Sequence, residues 1–101
     1  VADAAVTLDA LGDPTRRFVL ELLRDGERSV REITDHTTVS QPAVSQHLRV
    51  LRDAGLVDVR PAGTRRLYRI RPDGFAQVRA WVDGFWDEAL AAFVTHVEEE
   101  R

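Results

Sequence analysis

Ser40-Gln41-Pro42-Ala43-Val44-Ser45-Gln46-His47-Leu48-Arg49-Val50-Leu51-Arg52-Asp53-Ala54-Gly55-Leu56 specifies a helix together with its start, its buried side and its stop. Ser40 suits the N-cap, since its hydroxyl accepts from a free backbone N–H of the first turn. Pro42 is tolerated inside that turn, where no intrahelical N–H is needed. Val44, Leu48 and Leu51 recur at i, i+4 and i+7 and fall on one side. Gly55 can take the left-handed conformation that closes a helix, and Leu56 can fold back onto it. Ser45, Gln46 and Arg49 point away from the apolar stripe, and Gln41 lies in the exposed first turn. A short helix that buries aliphatic side chains and presents Ser, Gln and Arg suits a DNA major groove.

The chain's 101 residues fit a single domain, residues 1–101. It has no cysteine, which removes disulfides and thiolate ligands and suits a reducing compartment. No apolar run approaches membrane-spanning length and no signal peptide is recognisable, so a cytoplasmic location without a membrane partner is expected. All 14 basic residues are Arg, the better reader of bases and phosphates.

A net charge of −3 looks wrong for a nucleic-acid binder, but its distribution changes the picture. Residues 1–48 carry five Arg against eight acids, net −3. Residues 49–72 carry seven Arg (49, 52, 60, 65, 66, 69 and 71) against Asp53 and Asp58, net +5. Residues 73–101 carry Arg79 and Arg101 against seven acids, net −5. Phosphate binding follows the local field, not the whole-chain sum. The alternative is a chance cluster on a solvated face.

Outward from the central helix, residues 4–11 form a short helix. Asp13-Pro14-Thr15 reads as N-cap plus Pro and starts a second helix through about Arg24, with Phe18, Val19, Leu22 and Leu23 as its apolar side. Ser29-Val30-Arg31-Glu32 is a capping box that opens a third helix over about 30–36. Thr37-Thr38-Val39 is the turn before the central helix at about 41–54, with Val39 in the core. Residues 56–61 and 65–71 alternate as strands, with Val57, Val59, Tyr68 and Ile70 on one face and a turn over 61–64 between them. Leu67 falls on the polar face of this hairpin.

A last helix over roughly 74–99 spaces Phe75, Val78, Val82, Phe85, Ala89 and Phe93 three or four apart, and Trp81, Trp86, Leu90, Val94 and Val97 widen the stripe. At about 39 Å it is longer than so small a domain can cover, which points to a partner helix. Gly84 costs such a helix about 1 kcal/mol, consistent with close approach across an interface. The alternative is a helix packed back on its own domain.

This order, mainly α with a two-stranded β-wing (α-α-α-α-β-β-α), is that of a winged helix-turn-helix. The chain resembles the ArsR/SmtB family of bacterial transcriptional repressors. The matching pieces are residues 11–17 with Leu22-Leu23, residues 40–57, and Gly63-Thr64-Arg65-Arg66-Leu67-Tyr68-Arg69-Ile70; the match spans about residues 8–90. The resemblance implies a homodimer joined through the first and last helices, here Leu8, Leu11, Val78, Trp81, Val82, Phe85, Trp86, Ala89 and Phe93. It also implies an inverted-repeat operator in double-stranded DNA, and repression by occluding a promoter.

In such a complex Gln41, Ser45 and Gln46 face base edges, and Gln can pair with adenine; Ser40, at the start of the helix, is counted among the DNA-binding residues. Arg49, Arg65 and Arg66 serve phosphates, the wing arginines also reaching the minor groove, with Thr64 beside them. His47 lies at the edge of the stripe, where a structural hydrogen bond and a DNA contact are equally open. Arg52 is a salt-bridge partner or a phosphate contact. Arg16 and Arg17 are read as surface salt-bridging residues, with a phosphate contact as the alternative.

No metal or other cofactor is expected. The segment before the central helix lacks the thiolates that many relatives use. His96-x-x-Glu99 partly echoes a second family site, but Phe85 stands where its upstream Asp-x-His would place the imidazole, and zinc prefers four ligands. His36 has no evident second ligand. Ser45 and His47 face different ways, and no pocket signature of an enzyme is present. Two other readings remain: a winged helix that binds protein instead of DNA, and a repressor released by a small-molecule effector of unknown identity.

Overall fold

The computed structural model describes residues 4–100. Its elements in chain order are α1 (Ala4–Ala10), α2 (Pro14–Arg24), β1 (Arg28–Ser29), α3 (Val30–Asp35), α4 (Gln41–Asp53), β2 (Val57–Ala62), β3 (Arg65–Ile70) and α5 (Pro72–Glu99). Caps written in the sequence set three of the helix starts. The Asp13 carboxylate accepts from the backbone N–H of Thr15 at 2.8 Å and of Arg16 at 3.0 Å. Ser29 and Glu32 form the reciprocal capping box of α3, and the Ser40 hydroxyl accepts from Ala43 N–H.

The stop of α4 is equally local. Gly55 takes φ 78°, Gly55 N–H bonds to the Arg52 carbonyl, and Leu56 N–H reaches back to Leu51 at 3.0 Å, the two bonds of a Schellman motif. Val44, Leu48 and Leu51 are fully buried together with Val19, Ile33, Leu56 and Val57. This core joins α2, α3 and α4 to the base of the hairpin, and Val39 packs partly buried against it.

Two features differ from the sequence expectation. The sheet has three antiparallel strands in the order β1-β3-β2, because Arg28 and Ser29 pair with Tyr68 and Leu67. The added strand makes β3 central and explains Leu67, which is half-buried between Ser29 and Arg60 on its two neighbours. The hairpin turn is also tighter: Ala62 pairs with Arg65, leaving Gly63 (φ 63°) and Thr64 as the loop. Gly at the first of two loop residues suits the turn that matches strand twist. Pro61 is accommodated because β2 is an edge strand.

α5 extends far beyond the rest, and the described residues span 66 × 27 × 22 Å. Its first turn is fixed against the end of α4. A Cβ on Gly74 would drive into the Gly55 carbonyl, so only glycine permits this approach. From Arg79 onward every described residue of the helix is exposed.

The two sides of α4 make a simple stability prediction. Leu48→Ala should destabilise the fold by about 2–5 kcal/mol, whereas Arg49→Ala should change it little; urea unfolding reads both.

The capping and cross-strand carboxylates give a pH dependence. The Arg16 N–H holds Asp13 below its ordinary pKa. The Arg60 guanidinium does the same for Glu27, the Ser29 backbone N–H for Glu32, and Arg71 for Asp73. Each favours the ionised form in the folded state, so its stabilisation is complete above the unfolded-state pKa and lost as pH falls through the lower folded value. The thermal midpoint should drop between about pH 5 and pH 3. Glu32→Gln, which keeps a residue able to complete the capping box, should flatten that drop.

Candidate nucleic-acid interface

Burial of one side of α4 fixes what the other side presents. Gln41, Ser45, Gln46 and Arg49 are all exposed, as is Ser40 at the cap. A groove of about 780 Å³ runs between this side and the wing, lined by Pro42, Ser45, Gln46, Leu48, Arg49, Arg52 and Asp53 from α4 and by Tyr68 from β3. The sequence left Arg52 undecided and placed Tyr68 only on one face of the hairpin. The signal for Arg52 was available, since Gln41, Ser45, Arg49 and Arg52 recur at i, i+4, i+8 and i+11 along one face.

The seven arginines of residues 49–72 are not equivalent. Arg60 makes a bidentate pair with Glu27, Nε at 2.6 Å and Nη2 at 2.8 Å. Arg69 meets Asp58 at 2.7 Å, directly across the hairpin. Arg71 meets Asp73 at 2.8 Å, and Arg65 meets Glu32 at 3.2 Å. Arg49, Arg52 and Arg66 make no ion pair among the described residues. The charge excess read from the sequence is therefore largely offset within the wing, and the unpaired guanidinium groups gather on α4 and at Arg66.

Arg65 and Arg66 part company for a geometric reason. Successive strand residues face opposite sides of the sheet. Arg66 shares its face with Tyr68, which lines the groove, while Arg65 faces the other way, toward the start of α3. Thr64 is exposed in the turn between the strands.

His47, which the sequence left open between a structural hydrogen bond and a DNA contact, is set apart from the exposed residues of α4. It is half-buried, and its Nδ1 is enclosed with no hydrogen-bond partner. Arg16 and Arg17 also differ from expectation, because they form no salt bridges among the described residues. Arg16 donates to the carbonyls of Ala10 at 2.6 Å and Asp9 at 3.2 Å, and Arg17 donates to that of Leu11 at 2.8 Å. The last carbonyls of a helix lack intrahelical partners, and guanidinium groups one turn further along the chain satisfy them.

On α5, Trp81, Val82, Phe85, Trp86 and Phe93 are large exposed apolar side chains. Trp81 and Phe85 stack edge to face, with centroids 4.7 Å apart. Ala89 is exposed between them and Phe93; Val78 is half-buried, as are Leu8 and Leu11 at the start of the chain. The helix does not fold back over its own domain. His96 pairs with Glu100 at 3.0 Å, not with Glu99, and Asp83 with Arg79 at 3.8 Å. The His36 ring sits on the Glu32 carbonyl at 2.8 Å. Among the described residues no three His, Asp or Glu side chains converge on a point where a metal ion would sit, and no helix is long and apolar enough to cross a membrane.

Residues 13–59 match the family described as bacterial regulatory protein, arsR family. The chain is 47% identical over 91 residues to the HTH-type transcriptional regulator Rv2034 of Mycobacterium tuberculosis, covering 90% of this chain and 85% of that protein. Among solved structures, one reported as a possible transcriptional regulator for arsenical resistance superposes with a TM-score of 0.74 at 44% identity, covering 94% of this chain and 96% of that one. The homodimeric winged helix-turn-helix DNA-binding domain of a possible ArsR-family regulator from Mycobacterium bovis superposes at 0.67 with 37% identity, covering 85% and 80%. With its capped central helix, its wing and these relatives, the chain belongs to the arsR family of bacterial regulatory proteins and is a winged helix-turn-helix transcriptional regulator, not an enzyme.

Proposed function

We propose that this chain acts in the cytoplasm as a homodimeric repressor that binds an inverted-repeat operator in double-stranded DNA. Residues 1–101 form one winged domain in this reading, and its terminal helices clasp the second copy. The observation that carries it is the outward face of α4. Gln41, Ser45 and Gln46 are exposed there beside Arg49 and Arg52, which make no ion pair among the described residues. Gln41, Ser45 and Gln46 read base edges, with Ser40 at the entry to the helix; Arg49, Arg52 and Arg66 hold phosphates, with Thr64 beside Arg66. Arg65 is retained by Glu32 in the free protein and turns to DNA only by giving up that pair. His47 supports α4 from the core side.

The exposed apolar stripe of α5 supports the dimer, since Phe85, Trp86 and Phe93 are each more than half exposed in the protomer. The Mycobacterium bovis relative is itself homodimeric. Leu8, Leu11, Val78, Val82 and Ala89 complete the contact with the second copy. A dimer of this kind sets its two reading helices about one turn of DNA apart. Selection of bound fragments from the source genome, followed by hydroxyl-radical footprinting, tests the reading. Two symmetric protected half-sites are expected; a winged helix that binds only protein yields no enriched fragment.

Arg49, Arg52 and Arg66 of each protomer make six phosphate-binding arginines in the dimer, for which log affinity should fall against log salt with a slope of about −5. Release of all seven arginines of the block onto phosphates would bring the slope near −13. Gln46→Ala should relax preference at one base position by about 1–3 kcal/mol. Arg66→Ala should weaken operator and random DNA alike and reduce the slope. Anisotropy titrations at several salt concentrations read all three.

A further inference from the structure

A second concavity, of different chemistry, lies away from the DNA-facing groove. It sits where Leu11 after α1, one side of α2, the end of β3 and the first turn of α5 meet, with a volume of about 420 Å³. Its walls are Leu11, Leu20, Ile70 and Phe75. Pockets for small molecules span about 300–1,000 Å³ and are mostly apolar, with a few charged groups that fix orientation. Here those groups are Arg17, Glu21 and Arg24, adjacent along α2. Glu21 is already held by Arg24 at 3.1 Å. Arg17 holds only the Leu11 carbonyl and makes no ion pair among the described residues. Two guanidinium groups against one carboxylate leave a positive charge at the mouth of an apolar hollow. That combination favours an apolar body bearing one anionic group, and a carboxylate matches the planar donor fork of Arg.

We propose that this cavity binds a small apolar carboxylic acid, its chain between α2 and α5 and its carboxylate on Arg17. Phe75 adjoins Gly74, which rests on the Gly55 carbonyl at the end of α4. An occupant that displaces Phe75 therefore shifts α5 against the reading helix. That consequence rests on the DNA-binding reading above; occupancy of the cavity does not.

Calorimetry of the full chain with sodium decanoate and with 1-decanol, both below their aggregation limits, tests the site. Decanoate should bind saturably, one per protomer, about tenfold tighter than the uncharged alcohol. Arg17→Gln should reduce decanoate to the affinity of decanol. Glu21→Gln, which frees Arg24, should tighten decanoate, so the two variants move in opposite directions. Amide NMR should show shifts at Leu20, Ile70 and Phe75. Equal affinity for the two probes, or shifts centred on the exposed stripe over residues 81–97, overturns the site. Titration of the same samples with duplex DNA separates the two claims: DNA binding retained without saturable decanoate binding rejects the cavity alone, and the converse rejects only the DNA reading.

Discussion

Burial of Val44, Leu48 and Leu51 is the constraint on which the rest depends. These side chains are fully enclosed by α2, α3 and the hairpin base, so rotation of α4 about its axis would expose aliphatic surface and is opposed by several kcal/mol. With the helix fixed in this way, Gln41, Ser45, Arg49 and Arg52 have only solvent, or a ligand in the groove, to face. The caps at Ser40 and Gly55 fix its length. The Gly55–Gly74 approach then ties its end to the first turn of α5, so α4 and the long last helix are joined at one close backbone contact.

Electrostatics refine this picture. Chain arithmetic gives residues 49–72 a concentrated positive charge, yet four of the seven arginines hold carboxylates. Three of those carboxylates, Glu27, Glu32 and Asp73, come from outside the block. These exposed pairs are weak stabilisers, since solvent screens them. They do position the wing: the same Glu32 that caps α3 holds Arg65, and Glu27 grips Arg60 on the edge strand. Their effect is to decide which guanidinium groups are available to phosphate.

Much of this was legible in the sequence because its cause is local. Asp13-Pro14, the Ser29–Glu32 box, Ser40 and Gly55 fix helix ends within a few residues of themselves, and the boundaries of α2 and α4 follow to within one residue. β1 was not legible, since two residues carry no periodicity and Arg28-Ser29 becomes a strand only because β3 passes beside it. The ion pairs joining Glu27 to Arg60 and Glu32 to Arg65 span 33 residues each and depend on tertiary placement. His47 was ambiguous because its angular position on α4 lies at the border between core and solvent. Arg16 and Arg17 were misread because their partners are backbone carbonyls, which no residue pattern announces.

The chain's only side-chain amides are those of Gln41, Gln46 and Gln77, for it contains no asparagine. Nitrogen-edited NMR of these groups during titration with a selected operator duplex is therefore the most direct test of which way α4 faces. The Gln41 and Gln46 amide signals should move while that of Gln77, on α5, stays in place. Binding of the duplex with Gln41 and Gln46 unmoved would contradict this orientation.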